Sequence, residues 1–281
     1  GSFVASPDKS IPGTCKTWKE TLGAYRFFNH EEVTTNDILR PHYEASIERI
    51  KKEKVVLIPQ DTTEIDFSGR KTLDVGYLND EHSRGFYLHP SMAITPDKLC
   101  LGLVDVQIWQ REELGSRDSR KDKAIEEKES YRWLKGYEVA NQIASNASDT
   151  MVVSIADREG DIYEVLEKIP SKRNQAYWII RSNINRKTLE EDNLKIHEAV
   201  KEAIPIGEIE FKLPSGKIYN RDKSKRAKRK ERGVRQEIRV CTVKLCPPRR
   251  KGKRLKPVAI NVIHCVEKDP PSKEDKIEWF L

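Results

Sequence analysis

Met151-Val-Val-Ser-Ile-Ala-Asp-Arg-Glu-Gly-Asp-Ile-Tyr-Glu-Val-Leu166 is the stretch whose reading decides the fold. Met151 to Ala156 is a short, mostly apolar run with β-branched residues, which is the content of a buried strand. It stops on a carboxylate, Asp157. From Ile162 onward the apolar residues Val165, Leu166 and Ile169 fall at helical spacing. Asp157 is therefore expected at the carboxyl end of a strand, in a strand-to-helix turn, where open α/β sheets gather their ligands. Asp161, with Glu164 three residues on, has capping-box spacing with Asp in place of Ser or Thr, and reads as the cap of the following helix. The alternation of Asp157, Glu159 and Asp161 is not an EF-hand loop, because the closing acid would have to stand where Lys168 is. Arg158 and Glu159 are left facing either phosphate or each other.

Outward from this stretch the periods alternate in a definite order. Val55 to Phe67, Gly85 to Ile94 and Cys100 to Trp109 read as three strands, with turn residues Thr95-Pro-Asp97 before the third. Ile125 to Ser145 reads as a helix with Trp133, Tyr137, Ala140 and Ala144 on its buried face, and Ala176 to Ser182 as a fifth strand. A three-strand meander followed by helix, strand, helix and strand is the ribonuclease H-like arrangement, an α/β fold with a mixed five-stranded sheet and helices on its faces. Residues 54–183 are assigned to this core. Residues 3–53 read as the end of a helical N-terminal module, with helices near Thr17 to Phe28 and Asp37 to Lys52. Residues 184–275 read as an all-β insertion with one helical pattern near Glu190 to Ala203. Residues 276–281 begin a strand returning to the core.

Charge is distributed unevenly over the 281 residues and the net +7. Residues 217–256 hold 18 Lys/Arg against 3 Asp/Glu, a net of +15, and the rest of the chain is net −8. A concentrated basic segment on an acidic chain points to an anionic polymer, with nucleic-acid phosphate the simplest candidate, or to a solvated loop with no partner. The five cysteines are odd in number and widely spaced, and the six histidines include no H-x-x-x-H pair, which argues against a disulfide framework or a zinc site. No apolar run approaches the roughly 20 residues of a membrane span, and no signal-peptide pattern is present, so a cytoplasmic location without membrane contact is expected. Gly1-Ser2 reads as a cloning remnant and the chain as a piece of a longer protein.

Asp61 lies in Ile58-Pro-Gln-Asp-Thr-Thr63, a carboxylate in an otherwise apolar strand. Such a group is costly to bury unless it is paired or bound to a cation. The first and fourth strands of a ribonuclease H-like sheet are neighbours, which would bring Asp61 beside Asp157. A divalent ion relieves the repulsion of two close carboxylates, and a hard-oxygen pair suits Mg²⁺, with Mn²⁺ as a substitute. The plain alternative is that each aspartate only accepts from a nearby backbone amide. Pro59 is unusual for a central strand and is expected to mark a bulge.

Gln60-Asp-Thr-Thr63, Ser83-Arg-Gly-Phe-Tyr-Leu-His89, Glu127-Lys-Glu-Ser-Tyr-Arg-Trp133, Ala156-Asp-Arg-Glu-Gly-Asp-Ile162 and Ile180-Arg-Ser182, in that order, resemble the bacterial insertion-sequence DDE transposases of the transposon-five type. Gly23-Ala-Tyr-Arg-Phe-Phe28 resembles the helical DNA-end-binding module of the same family. The resemblance implies that Asp61 and Asp157 are the first and second metal-binding aspartates. It implies that Arg181 contacts transposon-end DNA, and that Trp279 stacks on a base flipped out of that DNA. Without it, Trp279 reads as a packed aromatic and Arg181 as a surface ion pair, and Trp133 and Trp178 as core residues. The family's third carboxylate sits in a Tyr-Arg-Glu-Lys signature that this sequence ends before, and Glu278 does not fit that motif. The implied activity is cut-and-paste DNA transposition with divalent-metal-dependent cleavage and strand transfer, in a homodimer on double-stranded transposon ends and target DNA, in the bacterial nucleoid. The basic residues Lys225, Arg226, Lys228, Arg229 and Lys230 would hold DNA phosphates. This piece, lacking the glutamate, is expected to be inactive. Another ribonuclease H-like nuclease and a non-catalytic DNA-binding derivative are the alternative readings.

Overall fold

The computed structural model describes residues 2–69, 74–112, 123–169, 176–190, 194–218, 227–250, 254–271 and 276–281. The chain opens with helices α1 (Ser2–Ala5), α2 (Ile11–Thr14), α3 (Trp18–Phe28) and α4 (Thr35–Ile50). The two longer ones start on threonines. Thr17 accepts from the Glu20 amide at 3.2 Å, and Thr34 with Asp37 forms a reciprocal capping box. The middle and the far end of α4 are fastened to the sheet: His42 Nε2 accepts from Leu103 N at 3.0 Å, and Arg49 Nε donates to Leu101 O at 2.6 Å. Ile50, at its last turn, is fully buried in the core.

Six strands make the main sheet: β1 (Val55–Pro59), β2 (Thr63–Asp66), β3 (Gly85–Ile94), β4 (Cys100–Trp109), β5 (Met151–Ala156) and β6 (Tyr177–Ile180). Their order is β2-β3-β1-β5-β6, with β4 on the other edge of β3. β1 and β2 share one edge of β3 and one register, since Leu57 faces Ile94, Gln60 faces Ser91 and Thr63 faces Leu88. They are a single strand broken at Asp61 and Thr62, which is why five expected strands appear as six. Pro59 produces no register shift. The Gln60 amide donates to Ile155 O at 3.1 Å. Alternation then turns position 59 toward β3, where a proline offers no N–H, and the β1–β3 ladder is interrupted there. β1, β5 and β6 are mutually parallel, and β2, β3 and β4 are antiparallel to their neighbours.

Gly85 sets how closely β2 meets β3. A Cβ at this position would lie 2.0 Å from Ile65 O, a backbone atom that cannot swing away. Gly85→Ala is expected to cost about 1–3 kcal/mol through overpacking. Urea denaturation measures this, and an unchanged midpoint would mean that β2 is not held against β3.

Helix α5 (Tyr131–Asn146) buries Trp133, Tyr137, Ala140 and Ala144 against the sheet, and α6 (Tyr163–Lys168) follows β5. A second, antiparallel sheet has the order β12-β11-β10-β7, made of β7 (Pro205–Leu213), β10 (Arg232–Leu245), β11 (Val258–Glu267) and β12 (Glu278–Phe280). β8 (Gly216–Ile218) and β9 (Ala227–Arg229) pair separately, and α7 (Ile196–Glu202) packs on β10 and β11. One contiguous buried cluster runs from Ile50, Val56 and Trp133 through Val152 and Ile180 to Val243, Leu245 and Val262, so the two sheets share a core. β12 pairs with β11 and touches the end of β6 where Ser182 N donates to Phe280 O at 2.8 Å. Among the described residues no helix is long and apolar enough to cross a membrane.

Candidate functional site

The parallel strands bring the candidate residues into line. β1 pairs with β5 from Val55↔Met151 to Pro59↔Ile155, and β5 pairs with β6 from Val153↔Tyr177 to Ala156↔Ile180. Carried past the last pairs, the same offsets set Asp61 against Asp157 and Asp157 against Arg181. The bonds Gln60 N to Ile155 O and Arg181 N to Ala156 O, at 3.1 and 3.0 Å, hold both extensions in register. Neighbouring strands lie about 4.8 Å apart. Asp61, Asp157 and Arg181 thus form one row across the carboxyl ends of three parallel strands. Both aspartates are exposed and Arg181 is half-buried.

Each aspartate keeps one oxygen for its own turn: Asp61 Oδ1 accepts from Thr62 N and Asp157 Oδ1 from Glu159 N, both at 2.8 Å. Among the described residues the other oxygen of each makes no hydrogen bond. Two hard oxygen donors from adjacent strands suit a divalent cation whose remaining positions are filled by water or phosphate. Among the described residues no group of three or more His, Cys, Asp or Glu side chains is placed to hold a metal. Burial, then the guanidinium of Arg158, lower Arg181 below the ordinary arginine range, and Asp157 opposes them. The Arg181 guanidinium sits 5.8 Å from the ring centre of Trp279, whose side of β12 is open to solvent with the residue 44 % exposed.

Residues 1–33 match the family model described as transposase DNA-binding. The match takes in α1 to α3 and stops before α4. No curated protein matches the chain. Among solved structures, the cryo-EM structure of a piggyBac transposase synaptic complex with hairpin DNA aligns with 93 % of this chain at 11 % identity and a TM-score of 0.30. The chain spans 42 % of that protein's length, and a score this low establishes no common fold.

Behind the row lies a chain of side chains that periodicity does not single out. Arg132 Nε donates to Thr62 Oγ1 at 2.8 Å, and Thr62 Oγ1 lies 2.9 Å from His89 Nδ1. His89 Nε2 lies 3.0 Å from Gln60 Oε1, and Gln60 Nε2 donates to Ser154 Oγ at 3.2 Å. Arg132 Nη2 also donates to Glu159 Oε2 at 2.8 Å, so Glu159 pairs with Arg132 rather than with Arg158. Burial, and after it the charge of Arg132, lower the His89 pKa to about 4, and His89 is neutral near pH 7. All these residues stand in or beside the quoted motifs, which was the available signal; their partners are too distant in sequence for spacing to pair them.

Asp161 does not cap the helix that follows it. Helix α6 begins at Tyr163 after Ile162, which makes no side-chain cap bond. The Asp161 carboxylate instead accepts from Asn183 N and Ile184 N at 2.7 and 2.8 Å and pairs with Arg186 Nη2 at 2.7 Å. Glu164 pairs with Arg250 at 3.1 Å rather than closing a capping box. Of the basic residues, Lys225 and Arg226 lie outside the described residues. Lys228 and Arg229 lie on β9, and Lys230 beyond it is exposed.

Proposed function

We propose that this chain is the core of a DNA transposase of the DDE type, cutting and joining transposon ends with a divalent cation held by Asp61 and Asp157. The observation that carries the reading is the single row of Asp61, Asp157 and Arg181 at the carboxyl ends of β1, β5 and β6. The sheet order supports a ribonuclease H-like core. With β1 and β2 taken as one strand it runs third, second, first, fourth, fifth, with the last three strands parallel. The N-terminal family match and the basic block support DNA as the partner.

In this reading the free oxygens of Asp61 and Asp157 hold the cation, and Arg181 offers its fork of donors to a phosphate. The exposed face of Trp279 stacks on an extruded base. Mg²⁺ or Mn²⁺ bound there would polarise the scissile phosphodiester and neutralise charge developing on its oxygens. The Lys/Arg segment, with Lys225, Arg226, Lys228, Arg229 and Lys230, grips phosphates along double-stranded end and target DNA, with two copies meeting at synapsis in a bacterial nucleoid. Two carboxylates hold a divalent cation weakly, with water filling its remaining positions.

Mn²⁺ titration of the full chain, followed by electron paramagnetic resonance, tests the site. Losing a ligand costs at least what losing an outer partner does, so Asp61→Asn and Asp157→Asn are each expected to weaken Mn²⁺ by more than about tenfold. Equal affinity in wild type and both variants would sink the metal reading. DNA binding is checked by its salt dependence: replacing Lys225, Arg226, Lys228, Arg229 and Lys230 with Ala should lower the log–log slope by about 0.9 for each phosphate left without its cation. An unchanged slope would remove that segment from the DNA interface.

A further inference from the structure

We propose that Gln60, His89, Thr62 and Arg132 form a positioning relay that holds the Asp61 segment in register beside Asp157; its purpose rests on the reading of the two aspartates as cation ligands. Asp61 and Thr62 stand in the gap between β1 and β2, where neither residue pairs with β3. The side-chain bond of Asp61 reaches no further than its neighbour Thr62. Beyond the backbone bond from Gln60 N to Ile155 O, the segment is therefore held by the side chains flanking Asp61.

Those side chains close a ring. Starting on β5, Ser154 accepts from Gln60, which reaches His89 on β3; His89 reaches Thr62, and Thr62 accepts from Arg132 on α5. Arg132 then pairs with Glu159, two residues after Asp157, and the circuit returns to the chain that leaves β5. Asp61 lies between Gln60 and Thr62, and Asp157 between Ser154 and Glu159, on the two chain segments that this circuit joins, and both are exposed.

One proton arrangement satisfies every bond. Gln60 spends its amide protons on Ser154, so its Oε1 accepts from His89 Nε2–H. His89 Nδ1 then accepts from the Thr62 hydroxyl, whose lone pair accepts from Arg132. The low basicity of the buried imidazole agrees with this neutral tautomer. Trp133 fixes the imidazole by an edge-on contact at 4.7 Å between ring centres. α5 makes room for the relay with a glycine, because a Cβ on Gly136 would lie 2.0 Å from Gln60 Oε1. Gln60 and His89 are both buried, so their bonds are shielded from competing water.

The test uses the full chain with Thr62→Val, Thr62→Ser and Arg132→Lys, and reads two quantities. One is amide hydrogen exchange of the segment covering Asp61 to Thr63. The other is Mn²⁺ affinity. Thr62→Val, which cannot donate to His89 or accept from Arg132, is expected to speed exchange there and weaken Mn²⁺ about tenfold. Thr62→Ser should restore both. Lysine lacks the fork that serves Thr62 and Glu159 together, so Arg132→Lys should fall between. If Thr62→Val does not fold, Glu159→Ala, at a side chain 64 % exposed, removes the acceptor of Arg132 Nη2, opens the ring from the solvent side and takes its place. Wild-type exchange and affinity in every folded variant but Thr62→Ser would overturn the relay. Wild-type Mn²⁺ affinity in Asp61→Asn and Asp157→Asn removes the metal reading instead, and the exchange rates still decide whether the relay holds the segment.

Discussion

Asp161→Ala is expected to lose about 3–5 kcal/mol of folding stability, because it leaves a buried guanidinium without the carboxylate it is paired with. The side chains of Asp161 and Arg186 are only 6 % and 8 % exposed, and Arg186 Nη2 donates to both Asp161 Oδ1 and Asp161 O, at 2.7 and 2.8 Å. Among the described residues Arg186 Nε already lacks a hydrogen-bond partner. Burial lowers Arg186 below the ordinary arginine range, and Asp161 is the chief influence opposing it. Removing Asp161 also leaves the amides of Asn183 and Ile184 without their acceptor. Arg186→Met should be nearly as damaging, by stranding the carboxylate. The double variant Asp161→Ala/Arg186→Met should lose clearly less than the two single losses combined, since neither charge is then left alone. Urea denaturation of the four proteins measures this cycle. Additive losses would show that the two groups do not act as a pair. The pair ties the turn after β5 to the chain leaving β6, which are the two places that carry Asp157 and Arg181. Its loss should therefore disturb the row as well as the stability.

The strands were legible in the sequence where period and composition agree. Gly85 to Ile94 and Cys100 to Trp109 are long, alternating and bounded by turn residues, and they form β3 and β4 over those residues. The buried face of α5 followed from 4-3-4 spacing for the same reason. The split of the first strand was not legible, because Val55 to Phe67 reads as one run and the break is a loss of pairing with β3 at Asp61 and Thr62, on either side of which the register is the same. Asp61 was visible as a carboxylate within an otherwise apolar strand and Asp157 as one ending an apolar run; that they share a row with Arg181 depends on the β1–β5–β6 registers, which no single segment encodes. Asp161 misled for a related reason. Capping is a local signal, and a buried partner 25 residues away at Arg186 overrode it.

Acidification from pH 7 toward 4 is expected to destabilise the wild type by on the order of 2 kcal/mol more than a His89→Gln variant, each compared with its own value at pH 7. The ordinary histidine value is 6.5, and in the folded chain it falls to about 4. Below 6.5 the unfolded chain takes up a proton that the folded chain refuses, so the equilibrium moves toward unfolding as pH falls. Below about 4 both states carry the proton and the effect stops growing. The cause is local: the imidazole is buried between Gln60, Thr62 and the edge of Trp133, and the nearest strong charge is the cation of Arg132. His197 is also lowered, chiefly by burial, and destabilises in the same direction. The difference between wild type and His89→Gln cancels His197 and the carboxylates, leaving the His89 contribution. Denaturation midpoints at half-unit steps of pH supply the curve. Parallel curves through 6.5 to 4 would mean that His89 takes its proton without leaving the relay. The neutral tautomer would then not be what joins Gln60 to Thr62.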